Sequence, residues 1–151
     1  MEHIEAYLEE TLKTALKEHN SHMAEIIRGL RSVIHNARIE AREKGSEIED
    51  SDIIVLLKRE LKKRHESAEM FEKGGATERA EKEKKEAAFI ETLLPPQLSQ
   101  EELEAIVQTV LQEHPDATQK DMGMLIKAVL EKAGDGADGK RVSEMVKSHL
   151  S

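Results

Sequence analysis

The sequence predicts an all-α protein, with a four-helix unit over residues 1–94 followed by a small three-helix unit over residues 95–151. Two observations carry this expectation. Apolar residues recur at three- and four-residue steps along nearly the whole chain, and no long segment alternates with period two. The composition points the same way. Charged residues make up 36% of the 151, while aromatics make up 2% and are confined to Tyr7, Phe71 and Phe89. Cores must therefore be built from Leu, Ile, Val, Ala and Met, which are spread too evenly along the chain for general disorder.

The elements follow in order. Ile4, Leu8, Leu12, Ala15 and Leu16 form one helical stripe, and Asn20-Ser21 can cap the next helix. That second helix carries Ile27, Leu30, Ile34, Ala37 and Ala41, with Gly45 where a C-terminal cap belongs. A third starts near Asp50-Ser51, aligns Ile54, Leu57, Leu61, Ala68 and Phe71, and ends at Gly74-Gly75. The fourth begins near Thr77, carries Ala80, Ala87, Ile90 and Leu94, and is stopped by Pro95-Pro96. Its first half, Glu78 to Glu86, is almost all charge and reads as a solvated face.

Pro95-Pro96 is also the boundary between the two units, a short and stiff hinge. Beyond it, Ser99 as N-cap with Glu102 three residues on spells a capping box, flanked by Leu98 and Leu103 as a hydrophobic staple. Leu103, Ile106, Val107, Val110 and Leu111 precede His114-Pro115. Thr118, with Asp121, caps a helix bearing Met122, Leu125, Ile126, Val129 and Leu130. A loop over 134–139 follows, and Asp138 can cap a last helix with Val142, Met145, Val146 and Leu150. Three short helices of this kind form a minimal bundle that is stable through its amphipathic faces.

Charge and cysteine content exclude several functions. The net charge is -8, with 23 basic and 31 acidic side chains, so overall charge gives no attraction for nucleic acid or an anionic membrane. Any polyanion site must be a local basic stripe. Without cysteine there is no disulfide framework, thiol nucleophile or thiolate metal site. Met1-Glu2-His3 does not open a signal peptide, and the longest apolar run is Ile53–Leu57, far short of a membrane span. A soluble, cytoplasmic protein with no membrane partner is expected.

Four motifs in order resemble the YqeY family. They are Glu69-Met70-Phe71-Glu72-Lys73-Gly74-Gly75 with Glu81-Lys82-Glu83; Leu93-Leu94-Pro95-Pro96-Gln97-Leu98-Ser99-Gln100-Glu101-Glu102-Leu103; Lys120-Asp121-Met122-Gly123; and Gly136-Ala137-Asp138-Gly139-Lys140. The resemblance covers roughly residues 4–150. It implies a helical N-terminal domain and a C-terminal domain similar to the tail of the B subunit of the glutamine-dependent Asp-tRNA/Glu-tRNA amidotransferase. In that subunit the tail helps hold tRNA, while the chemistry belongs to a separate cradle domain for which this chain has no room. The family label, a carbon–nitrogen ligase using glutamine as amido donor, therefore implies an enzyme component. What carries over is recognition of tRNA or of a protein that modifies or aminoacylates it. Two departures remove positive charge from the C-terminal unit. The loop arginine is replaced in Asp135-Gly136-Ala137-Asp138-Gly139, and Met124 stands where the family has lysine. Lys120, Lys140 and Arg141 are the candidate cations that this end retains.

The sharpest local feature lies on the second helix. Arg28, Arg31, His35, Arg38 and Arg42 follow steps of three and four, which places them on one face about 100° from the apolar stripe. Guanidinium forks one turn apart can contact successive phosphates or an acidic helix. The plainer expectation is pairing with acidic neighbours on adjacent helices. A second cluster, Lys58, Arg59, Lys62, Lys63, Arg64 and His65, extends the candidate patch or forms the ordinary polar back of its helix. No aromatic residues are interleaved, so bound RNA would be held by phosphate and shape instead of base stacking. A protein-interaction module with no RNA role is the rival reading.

Other patterns are weaker. Gly134 to Lys140 nearly spells a phosphate-binding loop, but Arg141 replaces Ser/Thr, a helix precedes it, and Asp135 and Asp138 would repel phosphate. The same loop misses the calcium-loop pattern at Ala137 and Gly139. Of His3, His19, His22, His35, His65, His114 and His149, only His19 and His22 lie close, across a helix break. The expectation is an accessory protein with no metal, cofactor or catalytic set.

Overall fold

The structure, a computed structural model, describes residues 4–150. Met1, Glu2, His3 and Ser151 lie outside the described residues, as does the side chain of Asp135. The described residues form α-helices and short 3-10 turns, with no strand. They divide into two compact units, Met1–Leu94 and Pro95–Ser151.

The first unit holds α1 (Ile4–Lys17), α2 (Ser21–Glu43), α3 (Asp50–Lys73) and α4 (Thr77–Leu93). The helices pack in sequence, α1 along α2, α2 on α3, and α3 along most of α4. Local chemistry sets each end. Asn20 Oδ1 accepts the Met23 N–H at 3.1 Å and so starts α2. The preceding residue, His19, stands at φ 56, a left-handed conformation more often taken by glycine. α3 starts at Asp50, as expected, with Glu49 as cap, and the Glu49 N–H donates to Asp52 Oδ2 at 2.8 Å. Glu49, Asp50, Ser51 and Asp52 can all cap, and only the chain's path chooses among them. α3 ends at Gly74, and Gly75 at φ 76 lets the Ala76 N–H reach back to the Phe71 carbonyl at 2.8 Å.

The core of this unit gathers Ile4 and Leu8 from α1, Ile26, Ile27, Leu30 and Ile34 from α2, Ile53, Ile54 and Leu57 from α3, and Phe89, Ile90 and Leu93 from α4. Farther along, the interior narrows to alanine, with Ala68 and Ala80 buried between α3 and α4. The charged run Glu78–Glu86 projects the expected solvated face through Glu78, Arg79, Glu81, Lys82, Lys84 and Lys85, but two of its glutamates do not belong to that face. The Glu83 and Glu86 side chains are only 16% and 13% exposed, because both turn inward to Arg64 of α3, at 3.2 and 3.1 Å. Arg64 also meets Glu60 at 3.7 Å, and Glu60 is the buried charged residue of the described chain.

The second unit holds α5 (Gln100–Glu113), a 3-10 turn at Gln119–Asp121, α6 (Met122–Ala133), a second turn at Gly134–Gly136, and α7 (Gly139–Leu150). The Ser99 capping box forms in full: Ser99 Oγ accepts the Glu102 N–H at 3.1 Å, and Glu102 Oε2 accepts the Ser99 N–H at 2.8 Å. The Arg141 N–H donates to Asp138 Oδ1 at 2.8 Å, capping α7. The core is aliphatic, with Leu103, Val107, Val110, Leu125, Val129, Val142 and Val146 fully buried. Leu98 is more than a staple. Its N–H donates to the Gly136 carbonyl at 2.7 Å, and its side chain fills the space where a Cβ at Gly136 would stand.

Candidate nucleic-acid interface

α2 presents the arginine row because its apolar positions face α1, α3 and α4 and the row lies on the flank beside them. From Arg28 to Arg42 the row spans about 21 Å of helix at 1.5 Å per residue. Arg28, Arg31, His35 and Arg42 are exposed and have no acidic partner among the described residues. Arg38 is different. It is half-buried and its Nη2 donates to Glu5 Oε2 of α1 at 2.6 Å. That hydrogen bond, with the charge of Glu5 behind it, holds the Arg38 guanidinium charged above its ordinary range.

Pairing with neighbouring acids thus accounts for one arginine of the four. The reason is visible on α1, the helix packed along the same flank. Glu5 is spent on Arg38, while Glu9 and Glu10 are drawn to Lys13 within their own helix, at 4.0 and 3.1 Å. The three acids of α1 nearest this flank are thus bound up locally.

The second cluster is largely consumed. Lys63 meets Glu60 at 3.2 Å, Arg64 bridges to α4, and His65 lies 3.3 Å from Glu91. Lys58 is half-buried and has a partner of its own. Arg59 and Lys62 are the exposed cations of this stretch without an acidic partner among the described residues. In the second unit, Lys120 and Lys140 are exposed, but Arg141 is half-buried and its Nη2 donates to the Leu98 carbonyl at 2.9 Å. That guanidinium ties the loop to the start of the unit.

Sequence reasoning passed over one feature. His22, Thr77, Glu78, Glu81, Lys82 and Lys85 line an open depression of about 380 Å³ between the start of α2 and the first half of α4. The His22 Nε2 at its wall is buried without a hydrogen-bond partner. Two lysines face two glutamates there, so the depression has no net charge to select an ion. No group of His, Asp and Glu suited to a metal ion occurs among the described residues, and no helix among them is long and apolar enough to cross a membrane.

A family model described as Yqey-like protein matches residues 5–150. The chain belongs to the YqeY family. The match runs through both units, from α1 to the end of α7, so family membership embraces the α2 row as well as the C-terminal three-helix unit. No curated protein matches the chain. In this YqeY chain, the row of exposed arginines lies in the N-terminal unit; the exposed cations of the C-terminal unit without an acidic partner among the described residues are the lysines Lys120, Lys127, Lys140 and Lys147.

Proposed function

We propose that this YqeY-family chain is a non-catalytic accessory protein that binds tRNA through its N-terminal unit, with Arg28, Arg31 and Arg42 of α2 gripping the phosphate backbone. The observation that supports this reading is that three arginines on one helical face stand without acidic partners among the described residues. A row of this kind recognises backbone charge and shape, not base identity. The choice of tRNA comes from the likeness of the C-terminal unit to the amidotransferase tail. Arg59 and Lys62 add secondary contacts.

Fluorescence-anisotropy titration with total tRNA tests the proposal. Three neutralised phosphates on duplex RNA give a log–log salt slope near -2.7, so affinity falls about 40-fold between 50 and 200 mM salt. Replacing Arg28, Arg31 and Arg42 together with Gln should remove most of both the affinity and the slope. Absence of binding at 50 mM salt would sink the proposal.

The protein-partner reading has its own support in Ile39, which is 43% exposed one turn from His35 and Arg42. An apolar side chain amid cations suits an acidic amphipathic helix. A pulldown that survives RNase and is lost when Arg31 and Arg38 are reversed to Glu would favour it.

A further inference from the structure

We propose that polyanion binding by the α2 row takes up a proton at His35, so that the site holds RNA more tightly on the acid side of neutrality; this deepens the tRNA reading and stands only with it. His35 lies four residues after Arg31 and three before Arg38, in the middle of the row. It is exposed, and its ring has no hydrogen-bond or ion-pair partner among the described residues. Two other histidines face carboxylates. His65 lies 3.3 Å from Glu91, and His149 lies 2.5 Å from Glu104 of α5.

The surroundings leave this imidazole to an external anion. Along α2 its charged neighbours are Arg31 and Arg38, with Arg28 and Arg42 beyond them. From α1, the ionisable groups on this flank are Glu5, Glu9, Glu10 and Lys13. Glu5 is held by Arg38, and the other two glutamates by Lys13. α3 meets α2 through Ile53, Ile54 and Leu57; the ionisable residues of that stretch are Lys58, Arg59 and Glu60, and Glu60 is held by Lys63 and Arg64. On α4, Lys82 reaches α2 at Glu25, ten residues before His35. Asp50 and Asp52 open α3, with Asp52 held by the Glu49 N–H, and Glu47 in the loop after α2 adds its field at Arg38. No acid among the described residues forms an ion pair with His35.

Histidine is the side chain that ordinarily changes charge between pH 5 and 8. A phosphate oxygen brought to the row by Arg31 favours the charged ring, which donates N–H to it. The proton comes from solvent, one per site at most. The complex then holds more protons than the free protein, so affinity rises as pH falls. The bound imidazolium adds about one phosphate contact to the row, and with it about 0.9 to the salt slope.

The experiment titrates the full chain with total tRNA at pH 5.5, 6.5 and 7.5 at constant ionic strength, comparing wild type, His35→Gln and His35→Arg. Wild type should bind about tenfold tighter at pH 5.5 than at 7.5, the scale of one added charge-assisted hydrogen bond. His35→Gln should give a flat profile with no gain toward acid pH, and His35→Arg should bind tightly throughout. Calorimetry in two buffers of different ionisation enthalpy should report net proton uptake for wild type and none for the Gln variant. A flat wild-type profile, or a His35→Gln profile as steep as wild type, overturns the proton linkage and leaves tRNA binding intact. No binding at any pH overturns both readings.

Discussion

Arg64 is the residue whose loss should be felt most in the N-terminal unit. Its guanidinium lies 3.1 Å from Glu86, 3.2 Å from Glu83 and 3.7 Å from Glu60, and the three carboxylate side chains are 13%, 16% and 10% exposed. Replacing it with Met keeps much of the stem's packing but leaves three little-hydrated negative charges facing one another across α3 and α4. Removing one partner of a fully buried pair costs about 3–5 kcal/mol. Arg64 is itself 35% exposed, and Lys63 still serves Glu60, so a cost of about 2–3 kcal/mol is expected at neutral pH and low salt. For a unit of this size each kcal/mol lowers Tm by about 4–8 °C, which puts the shift near 10–20 °C. Thermal melts followed by helical circular dichroism measure it. Adding Glu83→Gln and Glu86→Gln to the Arg64→Met variant should restore much of the loss by removing the repulsion. A cost below about 0.5 kcal/mol, the scale of an exposed pair, would refute this account of the α3–α4 contact.

Three further perturbations test other joints. His19→Gly should stabilise the first unit by about 0.5–1 kcal/mol in urea titration, because His19 holds φ 56 without a glycine's freedom. In the second unit, Gly136→Ala would place a Cβ 2.7 Å from Leu98 Cγ and should cost about 1–3 kcal/mol, seen as faster amide exchange in α7 while α2 is unchanged. Lys84, whose ammonium donates to Glu72 across the α3–α4 hairpin, holds its proton above the ordinary lysine value of 10.5 through that hydrogen bond. A raised value in the folded state means that this contribution is full below 10.5 and fades as pH climbs through the folded midpoint. NMR titration of the Lys84 Nζ should place that midpoint above a free lysine's, and Glu72→Gln should lower it.

The helices were legible because each carries its own periodic apolar stripe and most carry their own caps. Asn20, Ser99 and Asp138 accept the amides that their positions foretell, and Gly75 takes the left-handed turn that its place after α3 requires. What could not be read was anything decided by one helix's register against another. The spacing of Glu60 and Arg64 marks a pair on one helix, but only the α3–α4 packing brings Glu83 and Glu86 to the same guanidinium. The same limit governs the candidate interface. Five cations on one face of α2 are plain in the sequence, whereas the division between engaged Arg38 and unpaired Arg28, Arg31 and Arg42 depends on which α1 acid faces them. Arg141 is the converse case: it reads as a surface cation, yet it closes a contact with the Leu98 carbonyl 43 residues away.

To bind RNA as proposed, the row would have to work against the molecule's own charge, and that contest would set the conditions under which it acts. At -8 the chain as a whole repels a polyanion. The two effects differ in range. Repulsion by the net charge extends over the Debye length, about 30 Å at 10 mM salt but only about 10 Å at 100 mM. Guanidinium–phosphate contacts act at hydrogen-bond distance and are weakened by salt through counterion release. Near 10 mM the whole acidic surface opposes approach; above 200 mM the row loses its grip. Affinity should therefore fall along a straight log–log line at moderate salt and bend below that line near 10 mM. A site built from diffuse positive charge would keep rising there. The bend is the signature of a short cationic row on an acidic protein.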